Sequence, residues 1–227
     1  MAGEPCYLIG LVESSLETLP PELARTRKAR ALSRRMGVPP QHILLDKSLF
    51  YREMKRHGID EKRGRPDIVF MFLQATQYSV LNRRGMLRVF VHTINNDVIE
   101  VNPKARLPKS YYQFVNLLQH LFWKGRVPPT GEPLLEMKRG VSLEEHISAI
   151  GVGRVVLLHE QGSRVDCNWL LQKRFPEYAI LVGGFPHGDF SERTHKIADY
   201  KVSIGVSEPL DAWIVADRII CCLEQLL

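Results

Sequence analysis

The chain has 227 residues, of which 44% are hydrophobic and 25% are charged. This apolar content argues against disorder, because a chain of this size can bury one full core or two small ones. No apolar run approaches the ~18 residues that a membrane helix needs, and residues 1–6 lack the basic-then-apolar order of a secretion signal. We therefore expect a soluble, cytoplasmic protein that does not bind a membrane.

Charge divides the chain into two unlike halves. Residues 1–126 carry 21 Lys and Arg against 11 Asp and Glu, whereas residues 127–227 carry 10 against 14. A basic half attracts polyanions through counterion release, so nucleic acid is its natural partner. A basic but merely solvated surface is the alternative that charge alone leaves open. The best candidate boundary between the halves lies around residues 126–133.

The four cysteines show no CxxC spacing, and Cys221 and Cys222 are adjacent within an apolar helical run. This usage predicts reduced thiols whose main role is packing.

In the basic half, the elements follow from apolar periodicity and from turn residues. The predicted order is a strand at 6–12, a basic helix at 22–36, a helix at 47–57, a helix starting near Asp67, a β-hairpin at 86–93 and 98–101, and a helix at 110–124.

In the second half, helices and strands alternate. Helices are predicted at 142–150, 166–175, 191–198 and 209–227, and strands at 154–158, 179–182 and 200–206. Such alternation indicates an α/β fold with a parallel sheet and helices on its faces.

Ligands of a parallel α/β sheet gather at the loops that follow the strands. Three such loops are predicted at 159–162, 183–188 and 205–210, and Gly183, Gly184 and Gly188 would let the backbone approach a flat ring. Tight turns are an equally good explanation for any single loop. The dinucleotide fingerprint G-x-G-x-x-G is missing, which disfavours a Rossmann cofactor site.

No metal site is expected. His159 and Glu160 begin like a zinc-protease motif, but Ser163 occupies the position of the second histidine. The eight histidines show no ligand spacing, so each is interpreted as a surface residue or a hydrogen-bonded core residue.

The basic half contains two candidate sites. Pro66 restrains Arg65 to an extended conformation and places Asp67 at the start of a helix. From spacing alone, a helix-capping carboxylate beside a surface arginine is the better interpretation of this pair. Arg106 and Lys109, with Arg83 and Arg84, are either exposed basic turns or phosphate ligands.

Six segments, in this order along the chain, resemble the signature segments of the pseudouridine N(1)-specific methyltransferases of small-subunit ribosome biogenesis. They are Arg65-Pro-Asp-Ile68, Leu81-Asn-Arg83, Val91-His-Thr93, Ile99-Glu-Val-Asn-Pro103, Arg106-Leu-Pro108 and Gly184-Phe-Pro-His-Gly188. The resemblance extends from about Leu11 to the C-terminus.

The resemblance implies a SPOUT, or α/β-knot, fold over residues 1–227, with a C-terminal trefoil knot and a homodimeric assembly. Residues 1–126 would then be the RNA-binding half, with a β-hairpin and helical basic extension, and residues 127–227 the knotted, cofactor-binding half. It also implies S-adenosylmethionine as cofactor, held by the three loops. The implied cofactor residues are Leu158, Gly162, Val182, Gly183, Gly184, Phe185, Gly188, Ile204, Gly205, Pro209, Leu210 and Ala212.

On the RNA side, the resemblance implies catalytic roles for Asp67 and Arg65. The implied RNA-binding residues are Arg65, Arg83, Arg84, Arg106, Lys109 and Gln113. Lys109 and Gln113 stand where relatives have arginine, and neither side chain can make the bidentate phosphate contact of a guanidinium group.

The expected function is methylation of ring nitrogen 1 of a pseudouridine in a hairpin loop of small-subunit ribosomal RNA, together with a role in subunit assembly. Three alternatives stay open: a SPOUT enzyme that methylates ribose or another base, a mainly non-catalytic rRNA-binding assembly factor, and a plain nucleotide-binding α/β domain.

Overall fold

One eight-stranded sheet organises the part of the chain that this computed structural model describes, residues 6–204 and 208–227. The strands are β1 (Tyr7–Ser14), β2 (Leu87–Thr93), β3 (Val98–Val101), β4 (Arg126–Val127), β5 (Leu135–Lys138), β6 (Arg154–Val165), β7 (Tyr178–Gly183) and β8 (Tyr200–Ile204). Their order in the sheet is β4-β5-β3-β2-β1-β7-β6-β8. β2, β1, β7, β6 and β8 are parallel neighbours, while β3, β5 and β4 extend the sheet in antiparallel pairs.

The central strand β1 has no polar or charged side chain from Leu8 to Val12, because both faces of the sheet are covered. Ile9 and Leu11 pack into one core, whereas Leu8 and Val12 pack into the other. This division follows from the two-residue period of a strand, which turns successive side chains to opposite faces. The sheet runs across the predicted boundary at 126–133, since β1 pairs with β2 on one side and with β7 on the other.

Helices lie on both faces of the sheet, as predicted. They are α1 (Pro21–Ala24), α2 (Arg27–Met36), α3 (Lys47–Arg56), α4 (Pro66–Gln77), α5 (Val80–Arg83), α6 (Tyr111–Lys124), α7 (Leu143–Ala149), α8 (Cys167–Leu171), α9 (Glu192–Ile197) and α10 (Ala212–Leu223). Side chains of α4, α6, α8 and α10 pack on the face of Ile9, and those of α7 and α9 pack on the face of Leu8. Among the described helices, none has the length and apolar character that crossing a bilayer requires.

Helices α1, α2 and α3 form a small unit with a core of its own, which includes Leu23, Ala29, Phe50 and Met54. The predicted single helix at 22–36 is wrong, because Thr26 has an extended backbone and caps a new helix by accepting a hydrogen bond from the Ala29 amide at 3.2 Å. The predicted helix at 47–57, the hairpin and the helix at 110–124 are confirmed to within one residue at most ends.

Three predictions for the second half need correction, and one of them is the helix at 209–227, which begins only at Ala212. The predicted loop at 159–162 is a bulge inside the long strand β6, since Leu158 and Ser163 both pair with Val202. The predicted helix at 166–175 ends already at Leu171.

The prediction of reduced cysteines is wrong for one pair. Cys167 in α8 and Cys222 in α10 form a disulfide, while Cys221 remains outside it and is exposed. Helices α8 and α10 pack together in the fold, which brings the two sulfur atoms within bonding distance although 55 residues separate them.

Candidate functional site

A cavity of about 590 Å³ opens at the bulge of β6 and at the ends of β7 and β8. Nine of the twelve predicted cofactor residues line it, and they come from these three strands and from the segments after β7 and β8: Leu158, Val182, Gly183, Phe185, Gly188, Ile204, Pro209, Leu210 and Ala212. Gly205, another predicted cofactor residue, lies outside the described residues. The position of this cavity is the one expected for ligands of a parallel α/β sheet.

The two remaining predicted cofactor residues, Gly162 and Gly184, do not line this cavity. A Cβ atom on Gly162 would lie 2.5 Å from the backbone nitrogen of Val202, and one on Gly184 would lie 2.7 Å from Cα of Ser14. Both glycines are therefore required where backbone packs on backbone. Spacing in the sequence does not separate this role from ligand contact.

The charge of the cavity suits a cation. Four acidic residues line its wall, Glu160, Asp189, Glu208 and Asp211, against the single guanidinium group of Arg65. Phe185, Phe190 and Trp213 add aromatic surface. A ligand with a flat ring and a net positive charge matches this lining.

Arg65 and Asp67 form an ion pair at the edge of this cavity. Arg65 Nε lies 2.8 Å from Asp67 Oδ1, and Arg65 Nη2 lies 2.7 Å from Oδ2. The side-chain hydrogen bonds to Asp67 raise the pKa of Arg65. Both side chains are partly exposed, at 31% and 42%. A substrate group can therefore reach this pair.

The helix-capping interpretation of Asp67 is wrong. Arg65 occupies the N-cap position of α4, and no side chain there makes a capping hydrogen bond. Pro66 begins the helix, and proline needs no hydrogen-bond partner at that position. The carboxylate of Asp67 therefore does not cap the helix and accepts hydrogen bonds from the guanidinium group of Arg65.

The loop that precedes Arg65 contacts the loop after β7, and no pattern in the sequence predicts this relationship. Lys62 Nζ lies 3.1 Å from the carbonyl oxygen of Asp189 and 3.9 Å from the ring centroid of Phe185. Ser15 links the same two segments, since its amide donates to Gly184 O at 2.9 Å and its carbonyl accepts from the Arg65 amide at 2.9 Å. The Arg65 segment and the loop after β7 therefore form one connected structure.

His159, Asp189 and His195 meet at the rim of the cavity, although no ligand spacing marked these histidines in the sequence. Nε2 of each histidine lies 3.0 Å from Oδ1 of Asp189, and the three groups have the proximity of a possible metal site. However, Nδ1 of His159 accepts a hydrogen bond from the Gln161 amide at 3.0 Å. A neutral His159 then carries its proton on Nε2 and donates it to Asp189, which leaves no lone pair on Nε2 for a metal.

The predicted RNA-binding residues fall into two groups. Arg83, Arg84 and Arg106 line a second cavity of about 750 Å³, at the end of the sheet where β2 begins. Arg65 lies at the opposite end, where α4 begins, and α4 alone spans about 18 Å between the two ends.

A segment that follows the second cavity runs back along α4. Tyr78 at the end of α4 donates to Leu107 O, Gln74 donates to Pro108 O at 3.0 Å, and the ring of Tyr111 lies 5.5 Å from that of Phe70. Lys109 is exposed in this segment, and its ammonium group lies 5.4 Å from the Tyr78 ring centroid. Gln113, four residues after Lys109, is exposed in the first turn of α6. This segment leads from Arg106 towards Arg65.

The hydroxyl of Tyr111 closes this side of the site. It donates to Asp46 Oδ2 at 2.6 Å, and burial together with this hydrogen bond raises the pKa of Tyr111. The phenol therefore remains protonated at neutral pH and fixes Asp46, the N-cap residue of α3, beside the start of α4.

Comparison with known proteins identifies the family. The model of the EMG1/NEP1 methyltransferase family matches residues 9–224. The ribosomal RNA small subunit methyltransferase Nep1 of Pyrobaculum calidifontis is 45% identical over 186 residues, covering 82% of this chain and 83% of that protein. The Nep1 protein of Staphylothermus marinus is 38% identical, covering 98% of this chain and 96% of that protein.

A solved structure is similar over the same range. The crystal structure of Archaeoglobus fulgidus Nep1 bound to S-adenosylhomocysteine superimposes with a TM-score of 0.84, at 34% identity, covering 97% of this chain and 98% of that one. The SPOUT fold expected from the sequence is thereby confirmed, while the C-terminal knot stays a prediction. The chain belongs to the EMG1/NEP1 methyltransferase family.

Proposed function

We propose that this protein uses S-adenosylmethionine to methylate ring nitrogen 1 of a pseudouridine in a hairpin loop of small-subunit ribosomal RNA. The observation that carries the proposal is the partly exposed Arg65–Asp67 ion pair at the edge of an acidic cavity. The names of the relatives, which specify small-subunit ribosomal RNA, support the choice of substrate. A homodimer with a C-terminal knot and a role in subunit assembly belong to the same proposal.

The residues present fit this cofactor. S-adenosylmethionine carries a sulfonium and an ammonium group, and the acidic side chains of Glu208 and Asp211 suit these positive charges. Apolar lining from Leu158, Val182 and Leu210 suits an adenine ring. When bound, the cofactor supplies a methyl group that a ring nitrogen can attack. The S-adenosylhomocysteine in the Archaeoglobus relative supports a cofactor of this class.

Arg65 and Asp67 act on the substrate base. Pseudouridine is a C-glycoside, so its ring nitrogen 1 bears a proton that must leave when the N–CH₃ bond forms. Asp67 holds this N–H as a hydrogen-bond acceptor, and Arg65 stabilises the negative charge that develops on the ring. A carboxylate is a weak base towards a ring N–H group, so Asp67 contributes mainly by orienting the nitrogen and passes the released proton on to water.

The target base has to leave its stack to reach this pair, which costs less in a single-stranded loop than in a helix. Arg83, Arg84 and Arg106 are placed to hold the backbone of the RNA, and Lys109 continues this basic path towards Arg65. These contacts position the loop without reading its sequence.

The experiment that tests the proposal compares two hairpins of the same small-subunit sequence that differ only in pseudouridine or uridine at the loop position. Uridine has no free proton on ring nitrogen 1, because that atom bonds to the ribose. Transfer of a labelled methyl group to the pseudouridine hairpin alone supports the proposal. Transfer to both hairpins points to a ribose or another base and contradicts it.

A further inference from the structure

The helical unit α1–α3 is strongly basic, and none of its Lys and Arg residues has a role in the proposed reaction. Residues 21–63 contain 12 Lys and Arg against 5 Asp and Glu, a net charge of +7, while the whole chain has a net charge of +6. The unit has an apolar core of its own, and this core stabilises it without help from the Lys and Arg side chains on its surface. Its surface is therefore strongly basic.

Most of this charge is free to meet a partner. Arg27, Arg34, Arg35, Arg52 and Arg56 are exposed, and within residues 6–204 and 208–227 none of them has a hydrogen bond or ion pair with an acidic side chain. Arg27 and Arg34 are two turns apart on one side of α2, and Arg52 and Arg56 are one turn apart on one side of α3. Regular spacing of this kind suits a ligand with repeating negative charges.

Lys28 joins α2 to α3, and its charge is paired with an acidic side chain of α3. Lys28 of α2 donates to the Leu49 carbonyl of α3, and its ammonium group lies 3.5 Å from Glu53 Oε2. Arg35 lies two turns beyond Lys28 on the same side of α2, the side that faces α3. Arg35 of α2 therefore shares one surface with Arg52 and Arg56 of α3, which we call the α2–α3 surface and define by these three arginines, while Arg27 and Arg34 lie about 100° further round α2.

The α2–α3 surface begins next to the Arg65–Asp67 pair. The amide of Lys47, the first residue of α3, donates to Gly64 O at 2.8 Å, and Asp46 contacts Tyr111 beside α4. At 1.5 Å per residue, Arg52 and Arg56 lie roughly 8 and 14 Å along α3 from that end. An RNA whose loop base reaches Arg65 would extend over these arginines.

We propose that the α2–α3 surface binds the phosphate backbone of the double-helical stem that presents the target loop. This inference rests on the proposed function and adds a second RNA contact, separate from the cavity lined by Arg83, Arg84 and Arg106. Arginines on the outside of helices contact phosphates readily, whereas reading bases requires access to base edges that an RNA duplex hides in its deep groove. The α2–α3 surface therefore recognises the shape and charge of the stem and not its base sequence.

The test uses the full-length protein with Arg35→Gln, Arg52→Gln and Arg56→Gln combined. A matched control combines Arg193→Gln, Lys196→Gln and Lys201→Gln, three exposed cations of the second half. Binding is measured for a pseudouridine hairpin with a long stem and for a linear oligonucleotide that contains the loop alone, over a series of salt concentrations. Melting temperatures verify that both variants are folded.

We expect the triple variant to lose at least about tenfold in affinity for the stemmed hairpin, with a salt slope lower by about two to three. Its affinity for the loop oligonucleotide and the binding of the control variant should stay within twofold of the parent protein. Unchanged affinity and slope for the stemmed hairpin would overturn the inference, as would an equal loss for both RNAs. Failure of the parent protein to methylate any hairpin would instead count against the proposed function.

Discussion

The guanidinium group of Arg65 contacts both carboxylate oxygens of Asp67, although only Pro66 separates the two residues. The short path is possible because Arg65, with φ −120° and ψ 61°, is the N-cap residue just outside the helix, while Asp67 already lies in the first turn of α4. The extended conformation predicted for Arg65 is therefore wrong. This geometry fixes the direction of both side chains before any substrate binds. The pair is pre-organised, which lowers the cost of orienting a base.

Replacing Asp67 by Asn should lower the rate of methyl transfer by about 10- to 100-fold, because the amide accepts the substrate hydrogen bond weakly and no longer orients Arg65. The affinity for S-adenosylhomocysteine should remain unchanged, since Asp67 does not line the cavity that the cofactor is proposed to occupy. Single-turnover rates and calorimetric titration measure the two quantities separately. Full activity in this variant would remove Asp67 from the mechanism.

Lys62 connects the loop of Arg65 to the loop of the cofactor cavity, and its replacement by Met should affect cofactor binding first. The variant loses a hydrogen bond to Asp189 O and a cation–π contact with Phe185. The two contacts together contribute about 2 kcal/mol, so we expect the dissociation constant of S-adenosylhomocysteine to rise by up to about 30-fold.

The matched control for Lys62 is Lys55→Met, which removes an exposed ammonium group from α3 without touching the cofactor loop. Titration of both variants with S-adenosylhomocysteine, in the absence of RNA, separates loop positioning from any contribution to RNA binding. Equal affinities for the two variants would show that Lys62 does not hold the loop.

Buried His146 should make the protein less stable in acid. Its ring lies 4.5 Å from that of Phe90, and burial lowers the pKa of His146 to about 4 despite the attraction of Glu100. In the unfolded chain the pKa is about 6.5, so between about pH 6.5 and 4 the unfolded state binds the additional proton. The free energy of unfolding should therefore be fully retained above about pH 6.5 and decrease as the pH falls through this window.

Urea denaturation at several pH values measures this dependence. His146→Leu should reduce the slope by up to about 1.4 kcal/mol per pH unit within the window, since one titrating group is removed. His57→Gln, at an exposed position after α3, should keep the parent slope. Identical slopes in all three proteins would contradict the assignment to His146.

The Cys167–Cys222 disulfide should stabilise the fold by about 2–4 kcal/mol, because it closes a long loop in the unfolded chain. Thiol titration in denaturant should detect two reactive thiols without reductant and four after reduction, since the chain has four cysteines. Cys222→Ser should lower the melting temperature, whereas the neighbouring Cys221→Ser should not. Four reactive thiols in the unreduced protein would contradict the pairing.

The sequence predicted the central strands and the helices well, because buried strands are continuous apolar runs and helices have a clear period. β4 and β5 were missed, since strands of two and four residues are too short to show a period. Most residues that line the cavity proposed for the cofactor could be predicted, because parallel strands bring their carboxyl ends to one edge of the sheet. This topological rule needs no knowledge of side-chain contacts.

Contacts between residues that are far apart in the sequence could not be predicted from local patterns. The contact of Lys62 with Asp189 spans 127 residues, and no local spacing indicates it. Gly162 and Gly184 carry the same signal in sequence as a ligand-binding glycine, but their role is to let two backbone segments approach. Asp67 was interpreted as a cap because position alone cannot show that its carboxylate binds Arg65.

The most direct test of the central claim is to identify the methylated nucleoside. The protein is incubated with S-adenosylmethionine and a pseudouridine-containing hairpin of small-subunit ribosomal RNA, and the digested RNA is analysed by mass spectrometry against synthetic nucleoside standards. We predict one added methyl group, on ring nitrogen 1 of the loop pseudouridine. A methyl group on the ribose, on ring nitrogen 3 or on another base would contradict it.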